Sequence, residues 1–178
     1  MLYNLIESCI KSGFEEIYEV VGSDENSYLK INEALRDIWS SYEISKSYKD
    51  TSTRQTYAQK VKDIINQVIS NSPIILTRES LDISGNLDAR QIKELLHLHK
   101  IFFTETNPDK EKYNILKVKN KRNKLAHGDE SFDDAARDLT ISELEEIKDE
   151  VLTFINDVLN GMKNYYDNKL YLISENLT

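Results

Sequence analysis

Behind the tetrad Thr140-Ile-Ser-Glu143, the apolar residues Leu144, Ile147, Val151, Phe154, Ile155, Val158 and Met162 recur at intervals of three and four. That spacing lines one face of an α-helix, and the tetrad itself reads as a capping box that starts it. A helix this long and one-sided needs a matching apolar layer. The N-terminal segment offers one: Leu2, Leu5, Ile6, Cys9, Ile10, Phe14, Ile17, Tyr18 and Val21 keep the same period and predict a helix ending at Gly22. With five Gly and two Pro in 178 residues, the chain lacks the tight turns that an all-β sandwich requires.

Between these ends the pattern predicts further helices. One runs from about Ser27 to Tyr48 through Ile31, Leu35, Ile38 and Trp39, and is followed by the polar stretch Lys49 to Ser52. The next carries Tyr57, Val61, Ile64, Ile65 and Val68 and breaks at Asn71-Ser72-Pro73. From Pro73 to Leu87 the apolar run PIILT and the turn signal DISGN predict extended or loop structure. A short helix follows from Asp88 to about His99, and a loop near Asn107-Pro108 closes this irregular insertion of about 73–108. A helix from about Asp109 to Ala126 then ends at Gly128, a residue type that tolerates a left-handed C-cap. The expectation is an all-α bundle of five longer helices and one short one, forming a single domain over 1–178.

Composition narrows the function classes. One Cys excludes a disulfide framework or a cysteine-rich zinc site, no apolar run reaches membrane-spanning length, and Glu7 interrupts what a secretory signal would keep apolar. A cytoplasmic location without membrane partners is expected. The net charge of −8 argues against a protein that coats nucleic acid, but the charge is uneven. From Lys110 to Lys124 there are seven basic residues against Glu111 alone, +6, which leaves −14 on the rest.

Inside that basic segment lies Lys121-Arg122-Asn123-Lys124-Leu125-Ala126-His127-Gly128-Asp129. Arg122 offers a permanent cation with a bidentate fork for phosphate, and His127 a proton carrier suited to neutral pH. The pair has the chemistry for cutting RNA without a metal: imidazole for the ribose 2′-OH or the leaving oxygen, guanidinium for the charge on the phosphorane. At about 100° per residue, Arg122 and His127 diverge by roughly 140° on a continuous helix. Either the helix ends early enough for His127 to swing towards Arg122, with Asn123 bonded to the ring, or a second copy of the chain supplies groups across a shared cleft. Lys117, Lys119, Lys121 and Lys124 are the candidate RNA contacts.

The string RNKLAHG at the end of a basic helix resembles the Arg-x4-His signature of HEPN domains. LYNLIESCIKSGFEEIYE is similar to the leading helix of bacterial HEPN nucleases of toxin/antitoxin and phage-defence loci, and SGNLDARQIKELL to their mid-chain insert. The resemblance covers most of the chain. It implies an all-α fold and a cofactor-independent endoribonuclease that acts as a dimer with both motifs facing one cleft, with Arg122 and His127 catalytic and Asn123 at the polar position favoured after the Arg. It also implies a toxin or defence effector restrained by an inhibitor or antitoxin encoded nearby. HEPN toxins paired with nucleotidyltransferase antitoxins carry a Tyr two residues beyond the His; here Asp129 stands there, and the resemblance does not extend to control through that Tyr.

Blander readings compete at each place. Arg122 and His127 could serve only to satisfy the last carbonyls of a helix, within a non-catalytic interaction or RNA-binding module. The lysines could be a solvated face, and Asp129, Glu130, Asp133 and Asp134 a solvated loop. His97 and His99 point about 160° apart on a helix and lack companions for a metal, so no metal site is expected. Cys9 reads as a small core residue.

Overall fold

A computed structural model describes residues 1–49, 54–81, 83, 86–137 and 139–173. Seven α-helices are present among them: α1 (Leu2–Ser23), α2 (Glu33–Lys49), α3 (Arg54–Ile69), α4 (Ala89–Leu98), α5 (Pro108–His127), α6 (Phe132–Arg137) and α7 (Ile141–Asp167). Sheet pairing among the described residues is limited to two single bridges, Ser27 with Pro73 and Ile31 with Leu172. The fold is all-α. Asp50 to Ser52 of the expected polar separator, and Asp82, Ser84 and Gly85 of the DISGN turn, lie outside the described residues.

The chain divides into two compact units. One comprises Met1–Gly13 with Ile83–Lys163, the other Phe14–Asp82 with Asn164–Thr178. In the second unit Phe14, Ile17, Val21, Ile31, Leu35 and Trp39 are buried, and Tyr171 donates to Asp24 at 2.6 Å. The helix predicted from Ser27 begins only at Glu33, because the preceding backbone is committed elsewhere. Asn32 N–H donates to the Tyr171 carbonyl at 2.7 Å, and the Asn32 side chain accepts from Leu35 N–H at 3.0 Å, which caps α2. Between Pro73 and Leu81 the chain is irregular apart from a 3-10 turn at Arg78–Ser80, as its mixed pattern predicted.

The first unit carries the basic segment. Most of the α7 stripe is inward: Ile147, Val151, Phe154, Ile155, Val158 and Met162 are buried, as are Ile6 and Ile10 of α1, whereas Leu144, expected on the same face, is exposed. Thr140 and Glu143 bond reciprocally at its start, the Thr140 N–H to the carboxylate at 2.8 Å and the Glu143 N–H to the hydroxyl at 3.2 Å. Gly161 lets the chain at Phe102 and Phe103 pass directly over α7; a Cβ there would stand 2.8 Å from the Phe102 carbonyl oxygen and 2.6 Å from Phe103 Cβ. Helix α6 corrects the expected loop. Its acidic residues Asp133 and Asp134 sit in a first turn, where they favour a helix N-terminus, and Ser131 Oγ accepts from Asp134 N–H at 3.1 Å.

The α4 segment begins as predicted at Asp88, whose carboxylate accepts from Gln91 N–H while the Gln91 side chain accepts from Asp88 N–H, both at 3.0 Å. At its other end His99 is buried, its Nδ1–H donating to the Leu95 carbonyl at 2.7 Å. Burial pulls its pKa down to about 4 against the weaker opposing effect of that bond. His97 is exposed, and no cluster of three metal-ligating side chains occurs among the described residues. Cys9 is half-buried rather than fully in the core.

Candidate functional site

Helix α5 is set by its two ends. Pro108 occupies the first turn, where its missing N–H has no partner to lose, and Gly128 closes the helix at φ 75°, ψ 13°. Asp129 N–H reaches the Lys124 carbonyl at 2.9 Å and Gly128 N–H the Leu125 carbonyl at 3.3 Å, the paired bonds of a Schellman turn. His127 is therefore the last helical residue and does not swing back. The two reactive groups stay on different faces of the helix within one chain.

Arg122 faces Tyr3 from the first turn of α1. Its guanidinium lies 4.4 Å from the ring centroid, and Nη1 donates to Asn123 Oδ1 at 2.9 Å. Tyr3 is itself fixed, because its hydroxyl accepts the Leu87 N–H at 2.9 Å. Burial raises the Tyr3 pKa, against the opposing pull of that N–H and of Arg122. The Asn123 amide donates to Asn86 Oδ1 at 3.0 Å, so both ends of the Asn123 side chain are engaged away from His127. That corrects the expectation that Asn123 orients the imidazole. His127 is exposed and makes no hydrogen bond among the described residues. Backbone N–H groups serve the Lys124 and Leu125 carbonyls, and neither Arg122 nor His127 bonds a carbonyl of that turn among the described residues.

The HEPN_MAE_28990-like HEPN family model matches residues 1–171. The chain belongs to the HEPN family. No curated protein and no solved structure matches it.

In this HEPN chain the four candidate lysines split into two pairs. Lys119 is nearly enclosed and bonds Asp88 at 2.8 Å. Burial raises the Asp88 pKa, but Lys119 and the Gln91 N–H outweigh it and hold the carboxyl below its ordinary value. Lys121 pairs with Glu130 at 2.6 Å. Lys117 and Lys124 form no ion pair among the described residues. The basic segment is thus less positive at its surface than its composition implies, because Lys119 and Lys121 are already matched by acids of the same chain.

Several residues that hold the candidate site were not singled out from the sequence: Tyr3 under Arg122, Asn86 against Asn123, and Asp88 under Lys119. The helix start at Asp88 was legible, but its pairing with Lys119 joins residues 31 positions apart, and no local periodicity reports that. The inner face of α5 continues the theme at Asn114, whose amide donates to Glu150, both side chains being buried. Among the described helices none is long and apolar enough to cross a membrane.

Proposed function

We propose that this HEPN protein is a metal-independent endoribonuclease, acting as a toxin or defence effector, in which Arg122 and His127 carry the chemistry. The observation behind this reading is that His127 is exposed and unengaged at the end of a basic helix whose carbonyls are already closed by backbone bonds. His127 takes the proton from the ribose 2′-OH; the 2′-oxygen bonds to phosphorus as the bond to the 5′-oxygen breaks, and that oxygen leaves with a proton from water, to which the imidazolium then returns its own. Arg122 neutralises the charge gathered on the phosphorane, with Tyr3 and Asn123 fixing the plane of its guanidinium.

The divergence of the two faces assigns a role to a second copy. In a two-fold homodimer with both α5 ends at one cleft, His127 of one chain meets Arg122 of the other across the phosphate. The cell would hold such an activity in check with an inhibitor encoded nearby. The test is cleavage of RNA by the purified chain with EDTA present. A 2′,3′-cyclic phosphate product is expected, with activity lowered at least about 10²-fold in Arg122→Ala and in His127→Ala and helical content unchanged. Loss of activity on chelation, cutting at a 2′-deoxy position, or near wild-type cleavage by either variant would overturn the assignment. A folded chain that cuts no RNA would leave the non-catalytic interaction module as the reading.

A further inference from the structure

The outer face of α5 carries a line of side chains that, apart from His127 at its end, the reaction above does not use. Tyr113, Lys117, Asn120, Lys124 and His127 follow one another at steps of four, three, four and three residues, which keeps them within a narrow stripe on the helix surface. From the first to the last is fourteen residues, about 21 Å at 1.5 Å each. Tyr113 is 66% exposed, and Asn120, Lys124 and His127 are exposed. No acidic residue lies between Glu111 and Asp129. Glu143, the carboxylate that Lys117 influences, is committed to the Thr140 cap.

We infer that this stripe is the track for the substrate, single-stranded RNA, with Tyr113 as a stacking platform for a base about three nucleotides from the cut. The inference rests on the ribonuclease reading for its ligand. The chemistry of the stripe selects the occupant: an aromatic ring accepts any base face, two lysines without ion pairs meet phosphates, and the Asn120 amide can bond a base edge or a ribose hydroxyl. A bare second copy fits less well. Two such stripes set face to face would oppose lysine to lysine, and an anion laid between them removes that repulsion. The remainder of the chain is strongly acidic, so a strand drawn to α5 is repelled elsewhere.

The test uses the full chain and a fluorescent oligouridylate carrying 2′-fluoro groups, which lacks the nucleophile and stays intact. Binding is followed by anisotropy over a range of salt. Tyr113→Ala should weaken binding about tenfold or more, with Tyr113→Phe within about twofold of wild type. Lys117→Ala and Lys124→Ala should each lower the slope of log K against log salt by about 0.7, whereas Lys121→Ala, at a lysine already paired with Glu130, should leave it unchanged. Wild-type affinity in Tyr113→Ala, or no binding by the wild type at low salt, overturns the track. So does a loss of affinity that coincides in sedimentation with conversion of dimer to monomer, which would make the stripe an interface between copies. The two readings fail separately. Binding through Tyr113 without cleavage of ordinary RNA keeps the track and removes the nuclease; cleavage with an unchanged KM in Tyr113→Ala does the reverse.

Discussion

Helix α5, and α7 as far as Lys163, lie in the same compact unit, and they are built on opposite plans. The inward face of α7 is a continuous apolar seam, Ile147 through Met162, whereas among the described residues α5 buries Ile115 together with Asn114 and docks through Lys119 on Asp88 and Arg122 on Tyr3. Apolar burial is non-directional and tolerates sliding; ion pairs and stacked cations fix distances and planes. A helix that presents a guanidinium at a set angle benefits from the second kind of contact. The difference between the two helices is one between holding the unit together and aiming a side chain.

The largest expected effect lies in the seam. Phe154, fully buried and edge-on to Phe103 with centroids 6.0 Å apart, should cost about 3–5 kcal/mol when replaced by Ala. Lys124→Ala, on the outer face of α5, should change stability by less than about 0.5 kcal/mol, and urea unfolding measures both. If the two variants were equally stable, the division of labour between the helices would be wrong.

Acid sharpens the comparison, because the apolar side chains of the α7 seam do not titrate, although Glu150 is buried on the same helix. His99 stays neutral down to about pH 4 in the folded chain, while unfolded it takes up a proton near its ordinary value of 6.5. Unfolding therefore binds a proton between those values, and stability should fall by up to about 3 kcal/mol as pH drops from about 6.5 to 4. Asp88 acts in a later window: its pKa is lowered, so its contribution is intact above the ordinary carboxylate value and is lost as pH falls below it. Urea midpoints measured against pH should show the first loss in wild type and a flatter curve in His99→Gln. A curve unchanged by that substitution would contradict the buried neutral imidazole.

Smaller effects separate polar docking from capping. Asn114→Ala removes a donor from the buried Glu150 carboxylate and should cost about 1–3 kcal/mol, more than the loss of a few apolar atoms would account for. Thr140→Ala removes one half of the reciprocal cap of α7 and should cost about 1 kcal/mol. Recovery of stability in Thr140→Ser, and not in Thr140→Val, would tie that loss to the hydroxyl.

The same contrast marks what could be read from the sequence. Periodicity and caps are local, so α1, α4, α5 and α7 were legible nearly to their ends, Asp88 and Gly128 included. Helix α2 was predicted several residues too early because Ile31 keeps the helical period while its backbone is drawn into a bridge with Leu172. Helix α6 was hidden by its polarity, since a one-turn helix with acids in front and no apolar stripe reads as a loop. At the candidate site Arg122, Asn123 and His127 were visible as chemistry, but their partners were not. Tyr3 reaches Arg122, Asn86 reaches Asn123 and Asp88 reaches Lys119 across long stretches of chain, and the exposure of a lysine depends on whether such a partner exists.

Gly128 has a consequence for anyone who maps this protein by saturating substitution. At φ 75° it holds a backbone shape that β-branched residues adopt only at a cost, yet a Cβ added there would meet nothing within 4 Å. On the proposed ribonuclease reading, a valine at this position would therefore lower cleavage with no loss of packing, by shifting where the preceding imidazole points. Asparagine, which tolerates the left-handed region, would score as near neutral. A position with no functional group of its own would thus be sorted by backbone torsion alone, and its tolerance profile would report the shape of the helix end that carries His127.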